Sequence, residues 1–251
     1  MRRYAIGHRT DVGRRRERNE DSLRVVDLGE GAYLLVVADG MGGLRGGQTA
    51  SKVVAEYLSR AQWSAKESRD VLVDRIHRRL GEAHGKLVDK ARESPDLSQM
   101  GTTVVVALLL PDGVLHQYTG DSRLYWFRGM QVLYRTNDHS VAQALADRNH
   151  LRQDQVASHP FSNQLYSYLG PNLSWASVKL EPSKGELLPV EPGDTIVACS
   201  DGLSGMVSEG DLTALVAEIE DPQDLADRLV EAALEAGGDD NVSVVVARVV
   251  A

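Results

Sequence analysis

Five acidic positions in this chain share one kind of location. Asp39 closes the apolar run LLVVA, Asp121 follows a strand-like run in YTGDSR, and Asp201 follows another in VACSDGL. Asp240 precedes the final apolar run in GGDDNVSVVV, and the pair Glu20 and Asp21 in RNEDS stands just before an early strand. Strand ends are where side chains from distant segments can meet on one rim. Carboxylates brought within a few ångströms raise one another's pKa, and a divalent cation relieves that repulsion. Oxygen-only donors, with no cysteine pair and no histidine at metal-like spacing, favour hard ions such as magnesium or manganese over zinc. A calcium loop needs its ligands within a dozen residues and a closing glutamate, and no segment has that form. Taken singly, each Asp-Gly or Gly-Asp pair is an ordinary turn signal. Taken together, with an arginine in reach, they argue for a site.

Other chemistries fit less well. DGMGGLRGGQT resembles a phosphate-cradling loop, with Gly42, Gly47 and Thr49 on the template, but Gln48 stands where the lysine belongs. The alternative places function on Asp39 and leaves the glycines to turn the backbone and bring a carbonyl close. Cys199 lacks the arginine six positions on that a cysteine phosphatase needs, and reads as a buried strand residue. GLSGM (202–206) misses the serine-hydrolase elbow at Met206. His139 reads as a satisfied structural histidine. Of the basic run Arg14, Arg15, Arg16 and Arg18, only Arg16 has a positional argument; the rest read as a solvated loop.

Composition narrows the class. A hydrophobic fraction of 42% and a charged fraction of 25% suit a folded protein with a sizeable core. The formal net charge of −8 argues against general affinity for nucleic acid or anionic membranes. One cysteine permits no internal disulfide and suits a reducing compartment. The N-terminal stretch has no signal-peptide core and no apolar run is of spanning length, so the expected setting is the cytoplasm.

The elements that must position the carboxylates follow from periodicity. Residues 31–38 read as a buried strand, and a helix starts near Gln48 with Ala50, Val53, Val54, Tyr57 and Leu58 on one face. A second helix carries Leu72, Ile76, Leu80, Ala83 and Leu87. Residues 103–110 and VLHQYTG flank a PDG turn as a hairpin, and LYWFRG and MQVLYR suggest another around Gly129. Residues 139–172 are irregular apart from a short helix near Val141 to Ala146. Strands are expected at 175–180 and 195–199, helices near 211–219 and 222–236, and a last strand in VSVVVARVV. This order does not alternate as in a parallel α/β fold, so an α+β fold of mostly antiparallel sheet covered by helices is expected, as one domain over 1–251.

Seven stretches in order then carry a resemblance: RRERNED (15–21), DGMGG (39–43), GTT (101–103), GDSR (120–123), DHS (138–140), SDGL (200–203) and GGDDN (237–241). The chain resembles the metal-dependent serine/threonine protein phosphatases (PPM, or type 2C) in their compact bacterial form. The resemblance implies a four-layer α-β-β-α sandwich, two antiparallel sheets flanked by antiparallel helices. It implies hydrolysis of phosphoserine and phosphothreonine in proteins by a hydroxide bridging two Mn2+ or Mg2+ ions, with a weaker third ion. By motif position Asp39 would bridge the ions, Asp201 and Asp240 would complete the first, and the Gly40 carbonyl would serve the second. Glu20 and Asp21 would act through water, Asp121 would hold the third ion with Asp201, and Arg16 would grip the phosphate. The implied partners are a Ser/Thr kinase and its phosphorylated targets, met by a monomer. Two departures stand out. Met41 replaces a proton-donating histidine found in many eukaryotic members, and NQLYSYLG (163–170) has Ser167 where the family often has an arginine. Tyr166 and Tyr168 in that segment either contact substrate or pack.

Overall fold

A computed structural model of the chain describes residues 3–42, 46–182 and 187–250. In chain order the elements are β1 (Arg3–Asp11), β2 (Ser22–Gly29), β3 (Ala32–Ala38), β4 (Gly40–Met41), α1 (Gly46–Ser59), α2 (Arg69–Glu93), β5 (Gly101–Thr102), β6 (Val104–Leu110) and β7 (Gly113–Thr119). There follow β8 (Arg123–Arg128), β9 (Gln131–Arg135), α3 (Val141–Asp147), β10 (Leu187–Leu188), β11 (Thr195–Cys199), α4 (Asp201–Ser204), α5 (Glu209–Glu218), α6 (Pro222–Glu235) and β12 (Val242–Val250). One five-stranded sheet has the order β1-β12-β11-β8-β9 and the other β10-β7-β6-β3-β2, all pairs antiparallel. A two-stranded ribbon, β4 with β5, stands apart from both.

The apolar strands have no polar face because both faces are covered. In β3, Leu34 and Val36 face α1 and α2 in a cluster with Leu58, Ile76 and Leu80, while Leu35 and Val37 face the other sheet beside Val245, Ala247 and Ile196. Strand residues point alternately to opposite sides, so one run of valines and leucines feeds two layers. The outer face of the β1-β12-β11-β8-β9 sheet (Tyr125, Phe127, Val197, Val244) packs on Leu212, Leu225 and Leu229 of α5 and α6. The result is the expected four-layer sandwich.

Helix ends agree with local chemistry. Asp221 caps α6 by accepting the N–H groups of Gln223 and Asp224, with Pro222 opening the helix. Two readings need correction. Residues 175–180 form no strand: Trp175–Ser177 is a single 3-10 turn, and the strand that joins this sheet edge is the two-residue β10 further on. The apolar pattern of 175–180 arises because Trp175 and Val178 lie against the helix-side core. The N-terminal strand β1 was missed, since His8, Arg9 and Asp11 break the apolar signal in a segment that pairs along its whole length with β12. No helix among the described residues is long and apolar enough to cross a membrane.

Candidate active site

The strand ends converge on a cleft of about 630 Å³ lined by Arg16, Glu20, Asp39, Gly40, Asp121, Asp201 and Asp240, with Met41 and Tyr168 on its wall. Asp21 lies behind it, accepting a hydrogen bond from Ser200 Oγ (2.8 Å). Every candidate site residue lies among those described; Gly43, Leu44 and Arg45 of the glycine-rich stretch fall outside them.

Asp39 is held through its backbone. Its N–H donates to Thr103 Oγ1 (3.0 Å), and its carbonyl accepts from Thr102 Oγ1 (2.8 Å) and the Thr103 N–H (2.9 Å). Thr103 Oγ1 and Ser122 Oγ are 2.6 Å apart, which ties the Asp39 turn to the turn that carries Asp121. That second turn needs Gly120: its φ is +102°, and a Cβ there would stand 2.5 Å from Thr103 Cγ2. Asn241 organises the other side. Its Oδ1 accepts the Glu20 N–H (2.8 Å), and its Nδ2 donates to the carbonyls of Val12 (2.8 Å) and Arg18 (2.9 Å). The loop bearing Arg16, Glu20 and Asp21 is therefore fastened to the residue after Asp240.

The glycine-rich turn has the second of its two readings. A Cβ on Gly47 would lie 2.5 Å from Glu20 Oε2 and 2.7 Å from the Gly40 carbonyl carbon. The first turn of α1 thus meets a carboxylate of this chain where a nucleotide phosphate would have to sit. A helix N-terminus favours negative charge, and Glu20 supplies it.

The electrostatics record how tightly the acids are gathered. Burial, then the charges of Asp21 and Asp201, push Asp39 well above the usual carboxylate range. Burial and Asp201 do the same to Asp121, and burial raises Asp201. Asp21 is pushed up to about 7, mainly by burial, against the lowering bond from Ser200. Burial also raises Glu20, opposed by Arg16. The Asp39 and Asp201 carboxyls lie close enough to interact directly, a contact that raises the pKa of Asp39 and lowers that of Asp201. Arg16 Nη2 donates to Asp240 Oδ2 at 2.8 Å.

Whether this set fits metal ions has two sides. Asp21 Oδ1 and Asp201 Oδ1 are buried and have no hydrogen-bond partner, and the carboxylates that face the cleft are hard oxygen donors. No group of three or more His, Cys, Asp or Glu side chains among the described residues is arranged to hold an ion as it stands. The reason is visible: Asp240 is turned to Arg16, and Asp39 to Asp201. The donor chemistry, buried and unpartnered carboxylate oxygens beside further carboxylates, fits hard divalent cations.

Residues outside the motif roles also matter. Thr103, Ser200 and Asn241 hold the acidic segments, and their signal was their place inside GTT, SDGL and GGDDN. Ser167 is buried, sharing a hydrogen bond with Thr119 Oγ1 (2.8 Å) and accepting from the Lys179 N–H (2.7 Å), so it faces inward, while Asn163, Gln164, Leu165 and Tyr168 of that segment line the cleft. Tyr166 packs beside His139 (ring centroids 5.6 Å). Cys199 is buried and its thiol pushed up to about 12 by that burial, an inert strand residue as expected.

The family described as protein phosphatase 2C matches residues 12–236. The serine/threonine phosphatase stp of Listeria welshimeri is 31% identical over 238 residues, covering 94% of this chain and 92% of that protein. The S. agalactiae serine/threonine phosphatase structure superposes with a TM-score of 0.86 at 28% identity, over 98% of this chain and 99% of that one. The catalytic domain of the phosphatase PstP, solved in complex with two manganese ions, gives a TM-score of 0.83 at 30% identity over the full length of both chains. With the acidic cleft at the sheet edge and a family match running from the Arg16 loop into the end of α6, this chain belongs to the protein phosphatase 2C family.

Proposed function

We propose that the protein is a metal-dependent phosphatase acting on phosphoserine and phosphothreonine in proteins, opposing a Ser/Thr kinase. The observation that carries this reading is the convergence of Asp39, Asp121, Asp201 and Asp240 on one cleft beside Arg16. The relatives' names and the two manganese ions in the PstP structure support it. Two Mn2+ or Mg2+ ions, with a weaker third, would lower the pKa of a water toward neutrality and offset charge on the phosphoryl oxygens.

The chain's own residues have the following parts in this reading. Asp39 would serve both main ions, with Asp201 and Asp240 holding the first and the Gly40 carbonyl the second. Glu20 and Asp21 orient water, and Asp121 with Asp201 serves the third position. Arg16, half-exposed at the cleft mouth, presents a planar fork of donors that matches a phosphate and never loses its charge. To do so it must leave Asp240, whose oxygen the cation would claim. Met41 on the wall carries no transferable proton, so the departing alkoxide would take its proton from a metal-bound water or leave unaided. Residues 1–251 act as one catalytic domain, as a cytoplasmic monomer, which sedimentation and cell fractionation would test.

The decisive assay is hydrolysis of an aryl phosphate and a phosphothreonine peptide with Mn2+, comparing the native protein with Asp39→Asn. Turnover that falls by orders of magnitude in the variant is expected. Absence of turnover in the native protein, with phosphopeptide still bound, would favour a non-catalytic phosphoprotein-binding role.

A further inference from the structure

His139 does not line the cleft, yet it joins the two segments that form one side of it. The His139 N–H donates to the Gly120 carbonyl (2.9 Å), and the Gly120 N–H donates back to His139 Nδ1 (3.2 Å). This pair of bonds grips the residue immediately before Asp121. On its other side the His139 carbonyl accepts the Tyr166 N–H (2.9 Å), and the next residue, Ser140, bridges to Leu165. Asn163, Gln164, Leu165 and Tyr168 line the cleft together with the arginine loop. The ring is 1% exposed, stacked on Tyr118 (4.9 Å, 21°) with Tyr166 on its flank, and Nε2 faces Glu181 Oε2 (3.4 Å). A backbone N–H can only donate, so Nδ1 holds a lone pair and the ring proton is on Nε2, toward the carboxylate.

We propose that His139 is a positioning residue, holding the Asp121 turn and the cleft wall of residues 163–168 in one fixed relation. This rests on the reading of the cleft as a phosphatase site. A second tie adjoins it: Thr119, just before Gly120, shares its hydroxyl bond with Ser167 in the wall segment and also faces His139 Nδ1 (3.4 Å). The imidazole fixes residue 139 on the Asp121 turn, its backbone carbonyl carries that placement to the wall, and the paired hydroxyls join the same two strips of chain. A cation or phosphate that engages Asp121 therefore meets a wall already placed, at low ordering cost.

Side-chain chemistry separates this role from general packing. In His139→Asn the amide oxygen takes the place of Nδ1 as acceptor; in His139→Gln the amide reaches toward Glu181 and leaves the Gly120 N–H unanswered. In His139→Phe the stacking stays and both polar contacts go. Mn2+ titration followed by electron paramagnetic resonance, together with steady-state kinetics on a phosphothreonine peptide, reads the outcome. We expect His139→Gln and His139→Phe to weaken the Asp121-dependent Mn2+ site about tenfold, the worth of one buried hydrogen bond, and His139→Asn to stay within about twofold of native. In an Asp121→Ala background the Gln and Phe changes should add no further loss. Equal behaviour of Asn and Gln variants, or losses that simply add to that of Asp121→Ala, would overturn the proposal; the Asn–Gln pair decides even if the Phe variant fails to fold. A native protein without turnover defeats the phosphatase reading instead, a separate result from an active native enzyme with indifferent His139 variants.

Discussion

Replacing Asp21 by asparagine should stabilise the protein when metal is stripped away, and only at neutral to alkaline pH. Asp21 is surrounded by protein, accepts from Ser200, and lies close to Asp201 and Asp240, and its carboxyl is pushed up to about 7. In the unfolded chain it would titrate near the ordinary value, about 4. Its folded-state pKa is raised, so between these values the folded protein binds the proton more tightly, and stability falls as pH rises from about 4 to about 7. At about 1.4 kcal/mol per tenfold change, the full difference approaches 4 kcal/mol; because the charge is shared with Asp201 and Asp240, about 2–4 kcal/mol is the expected cost of ionising it. Asn keeps the acceptor for Ser200 and carries no charge. Urea unfolding of the EDTA-treated proteins at pH 4.5 and pH 8 measures the effect. Near-equality at pH 4.5 and a variant more stable by about 2–4 kcal/mol at pH 8 are expected, or roughly 4–15 °C in Tm for a chain of this size. Saturating Mn2+ should shrink or reverse the advantage, because ions that bind only the folded state favour the protein with the fuller carboxylate set. A variant equally or less stable than native at pH 8 without metal would show that the acids do not repel one another as described.

Arg16→Ala should raise KM for a phosphopeptide by about 10- to 100-fold with kcat little changed, the scale of charged hydrogen bonds to a phosphate; a large fall in kcat at constant KM would refute that role. Asp121→Ala should abolish the weakest Mn2+ affinity and leave two ions bound, and calorimetric titration showing loss of all ions would contradict it. Asp194 lies outside the cleft, buried, accepting from Trp126 Nε1 (2.8 Å), the Glu191 N–H (2.8 Å) and Arg128 Nε (2.8 Å) and Nη2 (3.0 Å). Asp194→Ala should cost about 2–4 kcal/mol of stability by stranding those donors, with KM and kcat unaltered, as denaturant melts and kinetics will show.

Much of this protein was open to reading along the chain because its chemistry is concentrated in short local patterns. Asp39, Asp121, Asp201 and Asp240 each stand at a strand end beside turn-forming residues, and strand ends are recognisable from apolar runs alone. The two helix pairs and the β6–β7 hairpin follow from period and turn residues for the same reason. Local pattern fails where a segment takes its conformation from distant partners. Strand β1 is specified by pairing with β12, more than two hundred residues away, and carries charges that hide it. Residues 175–180 look like a strand because they are apolar, but they pack without pairing. Only the tertiary structure could decide that Asn241 fastens the Arg16 loop, that Ser167 turns inward while Tyr168 faces the cleft, and that His139 bonds both to Gly120 and to Tyr166. Residue type sets which bonds a side chain can make; the meeting of segments far apart in sequence sets which ones it does make.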